Sequence, residues 1–314
     1  MKTFDDTVKL AAPIIPDAPQ TRIPLARRIV LHWVVRLLIT WFGFGILTGA
    51  LVAGLEGMSV DISPVVSTGV LAVCSLLTVF VVTLLIERRN PATIGLDVRR
   101  LAIDWLKGAV GGTAYLCASV GILAMLGGYR ITGVVFAGQA LAGGLLLHIL
   151  VGVFEETLFR GILFRFLEEG FGSWIALAIT ASFFGISHLS NPHATVWSAI
   201  AIALEAGVLI GAVYMATRSL WFAMGLHTAW NFLQGALFGI AVSGTGSPPE
   251  SLFQPLIQGD HWLTGGAFGI EASVIPVVLG LGLGIVFSVR AVRQNHTMRG
   301  LWWRSGINVL SNGS

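Results

Sequence analysis

The chain has 314 residues, of which 55% are hydrophobic and only 11% are charged. Together with a mean hydropathy of +0.82, this excludes a soluble globular protein, because so little polar surface cannot cover one. The net charge of +3 does not indicate a nucleic-acid partner, since the basic residues flank apolar segments instead of forming one face. The composition therefore predicts an all-α, polytopic membrane protein whose surroundings are the lipid bilayer.

Eight apolar runs are long enough to cross a bilayer, which takes about 20 residues. Residues 1–28 are predicted to form a flexible cytoplasmic N-terminal arm, residues 29–289 a transmembrane helical domain, and residues 290–314 a cytoplasmic tail. The apolar runs cover residues 32–54, 64–86, 108–128, 134–164, 173–190, 195–216, 220–241 and 271–289.

The positions of Lys and Arg predict the orientation of these spans. With a cytoplasmic N-terminus, all 19 basic residues except Arg36, Arg130 and Arg160 fall in cytoplasmic segments, as the positive-inside rule requires. Both termini are therefore predicted to be cytoplasmic, and residues 242–269, which contain no Lys or Arg, should face outside. We expect an integral multi-pass protein of a bacterial cytoplasmic membrane.

Glycine is abundant, with 39 residues, and two pairs have the spacing of helix contacts in membranes. Gly207 and Gly211 form one such pair, and Gly280 and Gly284 form another. Small residues four positions apart allow two helix backbones to approach closely. The sequence therefore predicts helix packing at both pairs.

Polar side chains inside the predicted spans are few, and they cluster in spans four to seven. An ionised group at bilayer depth costs roughly 2.5–3.5 kcal/mol on insertion scales, so such groups stay where they are paired or used. The cluster comprises His148, Glu155, Glu156, Arg160, His188, Glu205, His227, Asn231 and Gln234. This cluster is the predicted functional site.

Counting positions from the turns predicts the depth of these residues. Two antiparallel helices place residues equidistant from their turn at one level, so Glu155 should lie level with His188, on the order of 20 Å from the turn. Glu205 and Asn231 are likewise equidistant from a turn near Arg218. We expect one layer of polar groups in the cytoplasmic half or the middle of the bilayer.

Helical spacing assigns roles to the acidic residues. Glu156 and Arg160 are four positions apart and can form an ion pair on one helix face. Glu155 points about 100° away, free to face His188 across the bundle. A carboxylate opposite an imidazole can hold and deprotonate a water molecule.

The seventh span supplies a second pair of polar groups. His227 and Asn231 are also four positions apart and project from one face. An imidazole and an amide can donate hydrogen bonds to a developing oxyanion.

Several alternatives remain open at this point. A zinc site is one, because Glu155, His188 and His227 match a catalytic ligand set, although no HExxH motif occurs. His148 is interpreted as a structural residue, whereas Glu205 either lines the pocket or bonds a neighbouring helix. A proton-coupled transporter and a non-catalytic binding or immunity scaffold are the alternative functions.

Three motifs in this cluster resemble the CAAX-protease and bacteriocin-processing (Abi) family of intramembrane proteases. EExxxR occurs as Glu155 to Arg160, FxxxH as Phe184 to His188, and HxxxN as His227 to Asn231. The resemblance covers about residues 135–240, the predicted protease core.

The resemblance implies an all-helical membrane endopeptidase with a conical cavity that opens to the cytoplasm and the bilayer. It also implies glutamate-dependent hydrolysis without an obligatory zinc ion. Glu155 and His188 would activate water, His227 and Asn231 would stabilise the oxyanion, and Glu156, Arg160 and Phe184 would support them. The implied substrate is a membrane-associated or lipidated peptide or protein.

Overall fold

The computed structural model describes residues 29–246 and 250–300. The predicted N-terminal arm, residues 1–28, and the tail from residue 301 onward lie outside the described residues. The structure is 76% helical, so the predicted all-α class is confirmed.

The described helices follow one another with short connections. In chain order they are α1 (Trp33–Gly57), α2 (Pro64–Ile86), α3 (Val98–Met125), α4 (Gly138–Phe171), α5 (Ser173–Ser190), α6 (Val196–Thr217), α7 (Leu220–Phe232, continued by a π-helical turn Leu233–Leu237), α8 (His261–Thr264) and α9 (Val274–Arg293). Helix α3 begins ahead of the predicted boundary at 108, and α4 extends beyond the predicted end at 164.

Seven of these helices, α1 to α6 and α9, are long and apolar enough to cross a membrane. The chain is therefore an integral multi-pass membrane protein. Helix α7 is not among the seven, because His227, Asn231 and Gln234 make it more polar. The count of eight crossings and the cytoplasmic termini stay predictions.

Helix α7 lies at the centre of the bundle and packs mainly on α3 and α4. Glycines bring α3 and α7 into backbone contact. A Cβ atom on Gly108 would lie 2.0 Å from the Phe222 carbonyl oxygen, and one on Gly225 would lie 2.2 Å from the Trp105 carbonyl oxygen. Any larger residue would separate the two helices, so this interface depends on glycine.

The two predicted glycine pairs also lie at helix contacts. A Cβ atom on Gly207 would lie 2.8 Å from Cα of Ala181 in α5. One on Gly280 would lie 2.9 Å from Cα of Glu205 in α6. Helix α6 is thus packed between α5 and α9 through small residues.

One end of the bundle carries a small sheet that the sequence did not predict. Strand β1 (Tyr129–Val134) pairs antiparallel with β2 (Phe253–Ile257). Strand β1 follows α3, whereas β2 lies in the long connection after α7. Their pairing holds both connections at one end, which we call the sheet end.

The opposite end, which we call the basic end, holds the described part of the C-terminal tail. His296 Nδ1 lies 2.9 Å from the carbonyl oxygen of Ala216, and the Met298 amide donates to Ser173 Oγ at 2.7 Å. Arg218 there pairs with Glu168 at 2.7 Å. The tail therefore lies against the α4–α5 and α6–α7 turns.

A buried ion network also stabilises the basic end. Glu87 accepts hydrogen bonds from Arg36 at 3.0 Å and from Arg165 at 2.7 Å, and Arg36 also pairs with Glu169. Burial alone would raise the pKa of Glu87, but Arg165 and Arg36 outweigh it and hold that pKa below its usual value. The network ties α1, α2 and α4 together.

Candidate functional site

A cavity of about 830 Å³ opens within the bundle, and its wall contains every residue predicted to be catalytic. Glu155 comes from α4, His188 from the end of α5, and His227 and Asn231 from α7. Helices remote in sequence therefore bring two imidazoles, a carboxylate and an amide to one cavity.

The most tightly bound group at the site is the Glu156 carboxylate, which is fully buried. Its Oε1 accepts from Arg160 Nη1 at 2.9 Å and lies 2.7 Å from His227 Nδ1. Arg160 Nη2 donates to the carbonyl oxygens of Ala206 and Gly207. The predicted Glu156–Arg160 pair is present, and its partners extend to α6 and α7.

A π-helical stretch, Thr157–Phe164, follows Glu156 directly. Such wide turns change the direction of side chains along a helix and often occur at functional sites. Here the stretch contains Arg160, which points across to α6.

The predicted Glu155–His188 pair makes no direct contact, so a water shared by the two groups stays a prediction. Glu155 Oε2 lies 3.8 Å from His227 Nε2, and among the described residues no hydrogen bond joins Glu155 to His188. Equal depth does not determine the rotation of a helix about its axis. That rotation depends on Gly152, where a Cβ atom would lie 2.7 Å from Thr228 Oγ1, so α4 turns both carboxylates toward α7.

His188 has a defined orientation. Its Nδ1 lies 2.7 Å from the Phe184 carbonyl oxygen, one helical turn earlier. Because a carbonyl only accepts, Nδ1 carries the proton, and Nε2 of the neutral ring presents its lone pair to the cavity.

Phe184 lies between the polar groups of the three motifs. Its ring centroid is 4.7 Å from that of His188 and 6.2 Å from that of His227. The Arg160 guanidinium carbon lies 5.2 Å from the same ring. Phe184 therefore supports both imidazoles and the cation by packing, as the resemblance implies.

Asn231 lies one turn after His227 and faces the cavity. Within the described residues, its side-chain amide makes no hydrogen bond to protein, although the residue is only 6% exposed. An amide that lines a cavity without a protein partner can bond a ligand or a water there. The Asn231 amide is thus available to a bound substrate.

Sequence reasoning missed Glu271, which lines the cavity from just before α9. Burial raises its pKa, although hydrogen bonds from the Ser243 amide and hydroxyl oppose this shift. The only signal in the sequence was a lone acidic residue at the start of the last apolar run. His148, interpreted from sequence as structural, also lies in the cavity wall.

Glu205, in contrast, does not line this cavity. Its Oε2 lies 2.9 Å from the Tyr115 hydroxyl, which also donates to the Pro276 carbonyl oxygen at 2.7 Å. Of the two roles left open, the structure places Glu205 at a contact between helices. The π-helical stretch Ala203–Val208 directs its side chain toward α3.

The proposed zinc ligands do not fit a metal ion. No group of three or more His, Cys, Asp or Glu residues in the described ranges has the geometry of a metal site. Glu155 approaches His227 without His188, so the three groups do not converge on one point. Glu155, His188 and His227 are therefore not arranged as a ligand set.

The cavity inside this membrane bundle is lined by a carboxylate, two imidazoles and an amide, which are the groups that hydrolysis by an activated water uses. Residues 137–233 match the family model described as Rce1-like, Type II CAAX prenyl endopeptidase Rce1-like. The resemblance drawn from the three motifs is confirmed, and the match supports a CAAX-type intramembrane peptidase. No curated protein and no solved structure matches the chain.

Proposed function

We propose that this protein is an intramembrane endopeptidase that hydrolyses a peptide bond of a membrane-associated polypeptide. The observation that carries the proposal is the convergence of Glu155, His188, His227 and Asn231 on one cavity. A peptide segment fits such a space, and its ends can extend along the cavity walls.

Glu155 and His188 activate the attacking water. The Glu155 carboxylate lines the cavity and makes no hydrogen bond to the described protein residues. Nε2 of His188 accepts a hydrogen bond because Nδ1 donates to Phe184. Two acceptors on one water orient its lone pair toward a carbonyl carbon, and Glu155 takes the proton.

His227 and Asn231 stabilise the tetrahedral intermediate. The Asn231 amide donates to the oxyanion, and Nε2 of His227 donates when the ring carries both protons. Glu156 holds Nδ1–H of His227 and so fixes the direction of Nε2. Water oxygen bonds to the carbonyl carbon, the C–N bond breaks, and Glu155 passes its proton to the leaving amine.

The test uses the purified protein and a fluorescence-quenched peptide with a hydrophobic anchor. Glu155→Gln and His188→Ala should each reduce cleavage by about 10²-fold or more, the usual contribution of an acid–base group. Glu56→Gln and His261→Ala, which change exposed residues of the same types, serve as matched controls.

Thermal unfolding of each variant separates loss of chemistry from loss of fold. If Glu155→Gln and His188→Ala remained folded and cleaved the peptide at the full rate, the assignment would be wrong. If both were inactive in cleavage but left the cellular phenotype intact, a non-catalytic scaffold would replace the peptidase.

A further inference from the structure

The mouth of the cavity lies at the sheet end of the bundle. Pro64 begins α2 and Ala140 lies in the first turn of α4, and both line the cavity. Asn191 follows α5, and Thr245 and Glu250 belong to the connection after α7. All five positions are at the helix ends opposite the basic end.

The cavity is closed toward the basic end by packed apolar side chains. Phe164, Tyr214 and Leu220 are each no more than 3% exposed. The rings of Phe164 and Tyr214 meet edge to face at 5.7 Å. None of these residues lines the cavity, so within the described residues this packing separates the cavity from the basic end.

The two ends differ sharply in charge. At the sheet end of the described chain, Arg130 is the only basic residue among Lys and Arg. The same end carries the acidic residues Asp61, Glu250 and Asp260. The basic end and the turns next to it hold Arg88, Arg89, Arg99, Arg100, Lys107, Arg165, Arg218, Arg290, Arg293 and Arg299. By the positive-inside rule, the basic end is cytoplasmic.

We infer that the cavity opens on the non-cytoplasmic side of the membrane and receives its peptide from that side. The depth of Glu155 agrees with this orientation. Glu155 lies about 16 residues from the end of α4 at the basic end, roughly 24 Å at 1.5 Å per residue. This distance exceeds half of a hydrocarbon core of about 30 Å.

The expectation of a cavity open to the cytoplasm conflicts with the predicted cytoplasmic termini. The described tail contacts the basic end through His296 and Met298, at the opposite end of α4 and α5 from the mouth. The two expectations therefore cannot both hold for this chain, and the charge distribution favours cytoplasmic termini.

The orientation also defines the class of substrate. This part of the inference rests on the proposed function. Thr68 in α2 and Gly144 in α4 line the cavity between two helices that meet the bilayer. A membrane-anchored polypeptide whose cleavable segment lies in the outer leaflet can enter there. A prenylated protein held in the cytoplasmic leaflet cannot reach this mouth.

Cysteine labelling in intact cells tests the orientation without any need for activity. The parent carries Cys117→Ser, because Cys117 is the exposed free thiol. Thr245→Cys reports the mouth and Thr93→Cys reports the basic end. The two sites are matched, since each is an exposed Thr whose hydroxyl donates to the carbonyl three residues earlier.

A membrane-impermeant maleimide should label Thr245→Cys in intact cells and Thr93→Cys only after permeabilisation. The inference is overturned if Thr93→Cys is labelled in intact cells while Thr245→Cys requires permeabilisation. Labelling of both in intact cells, or of neither, would also contradict an outward mouth and a cytoplasmic basic end.

A pair of single-span reporters tests the substrate class. Both carry the same cleavable segment beside the membrane, one on the outer side and one on the cytoplasmic side. We expect cleavage of the outer reporter that is lost with Glu155→Gln. Cleavage of the cytoplasmic reporter alone would overturn the inference.

The two experiments separate the orientation from the proposed function. If maleimide labels the mouth from outside but Glu155→Gln does not change cleavage of either reporter, the orientation stands and the peptidase assignment fails. If the mouth is labelled only from inside and cleavage still requires Glu155, the peptidase stands and the orientation fails.

Discussion

His227 Nδ1 lies 2.7 Å from Oε1 of Glu156, a carboxylate oxygen that also accepts from Arg160 at 2.9 Å. Because Glu156 is fully buried, Arg160 and His227 are the partners that balance its charge among the described residues. The contact makes Glu156 the residue that directs the His227 ring, and it links the first motif to the third.

Replacing Glu156 with Gln should therefore reduce activity although Glu156 does not touch the substrate. The neutral amide no longer stabilises the doubly protonated His227 ring, so Nε2 loses the proton that it donates to the oxyanion. We expect kcat to fall by about 10²–10⁴-fold, the range of acid–base contributions, with KM little changed. Peptide cleavage kinetics would measure this.

The exposed Glu56→Gln variant is the control for Glu156→Gln. A purely structural role for Glu156 would instead lower the unfolding temperature and leave the pH profile of kcat unchanged. Observing that combination would contradict the orienting role.

Asn231→Ala should affect the transition state more than substrate binding. Loss of one oxyanion donor typically costs about 10²–10³-fold in kcat. Since the Asn231 amide has no hydrogen bond to the described protein residues, removing it should not destabilise the fold. A large rise in KM with unchanged kcat would assign Asn231 to ground-state binding instead.

Gly152→Ala should displace the first motif from α7. A Cβ atom there would lie 2.7 Å from Thr228 Oγ1 and 3.1 Å from the Met224 carbonyl oxygen, both in α7. Overpacking of this kind costs about 1–3 kcal/mol. It should also weaken the Glu156–His227 contact and lower kcat.

Gly143→Ala provides the matched control on the same helix, because a Cβ atom there meets nothing within 4 Å. Thermal unfolding and peptide cleavage of both variants would show the difference. Equal behaviour of Gly152→Ala and Gly143→Ala would mean that the α4–α7 distance does not matter.

Glu87 should make stability depend on pH. Burial would raise its pKa, but Arg165 and Arg36 outweigh burial and lower the pKa below the usual 4.5. A carboxyl with a lowered folded-state pKa stabilises the fold fully above the unfolded pKa and loses this effect as pH falls through the folded pKa. Stability should therefore decline below about pH 4.5.

Glu87→Gln should remove this dependence and lower the unfolding temperature at pH 7. Removing one partner of a buried pair typically costs about 3–5 kcal/mol. Unfolding in detergent at pH 7 and pH 4 would measure the two effects. A variant with the same acid sensitivity as the parent would assign that sensitivity to other groups.

The sequence by itself determined the features that depend on local periodicity and composition. Apolar runs predicted a helical membrane protein, and the spacing of Glu156 and Arg160 predicted their ion pair, because residues four apart share a helix face. Gly207 and Gly280 were correctly predicted at helix contacts. The three motifs predicted the residues that line one cavity.

Only the tertiary structure decided how these helices face one another. The rotation of α4 about its axis depends on the close approach at Gly152, and it brings both acidic residues to His227. Glu271 joined the cavity, and Glu205 bonded Tyr115, because packing between remote segments placed them there. Spacing along a chain fixes the face on which a side chain lies, whereas packing against distant segments determines what that face meets.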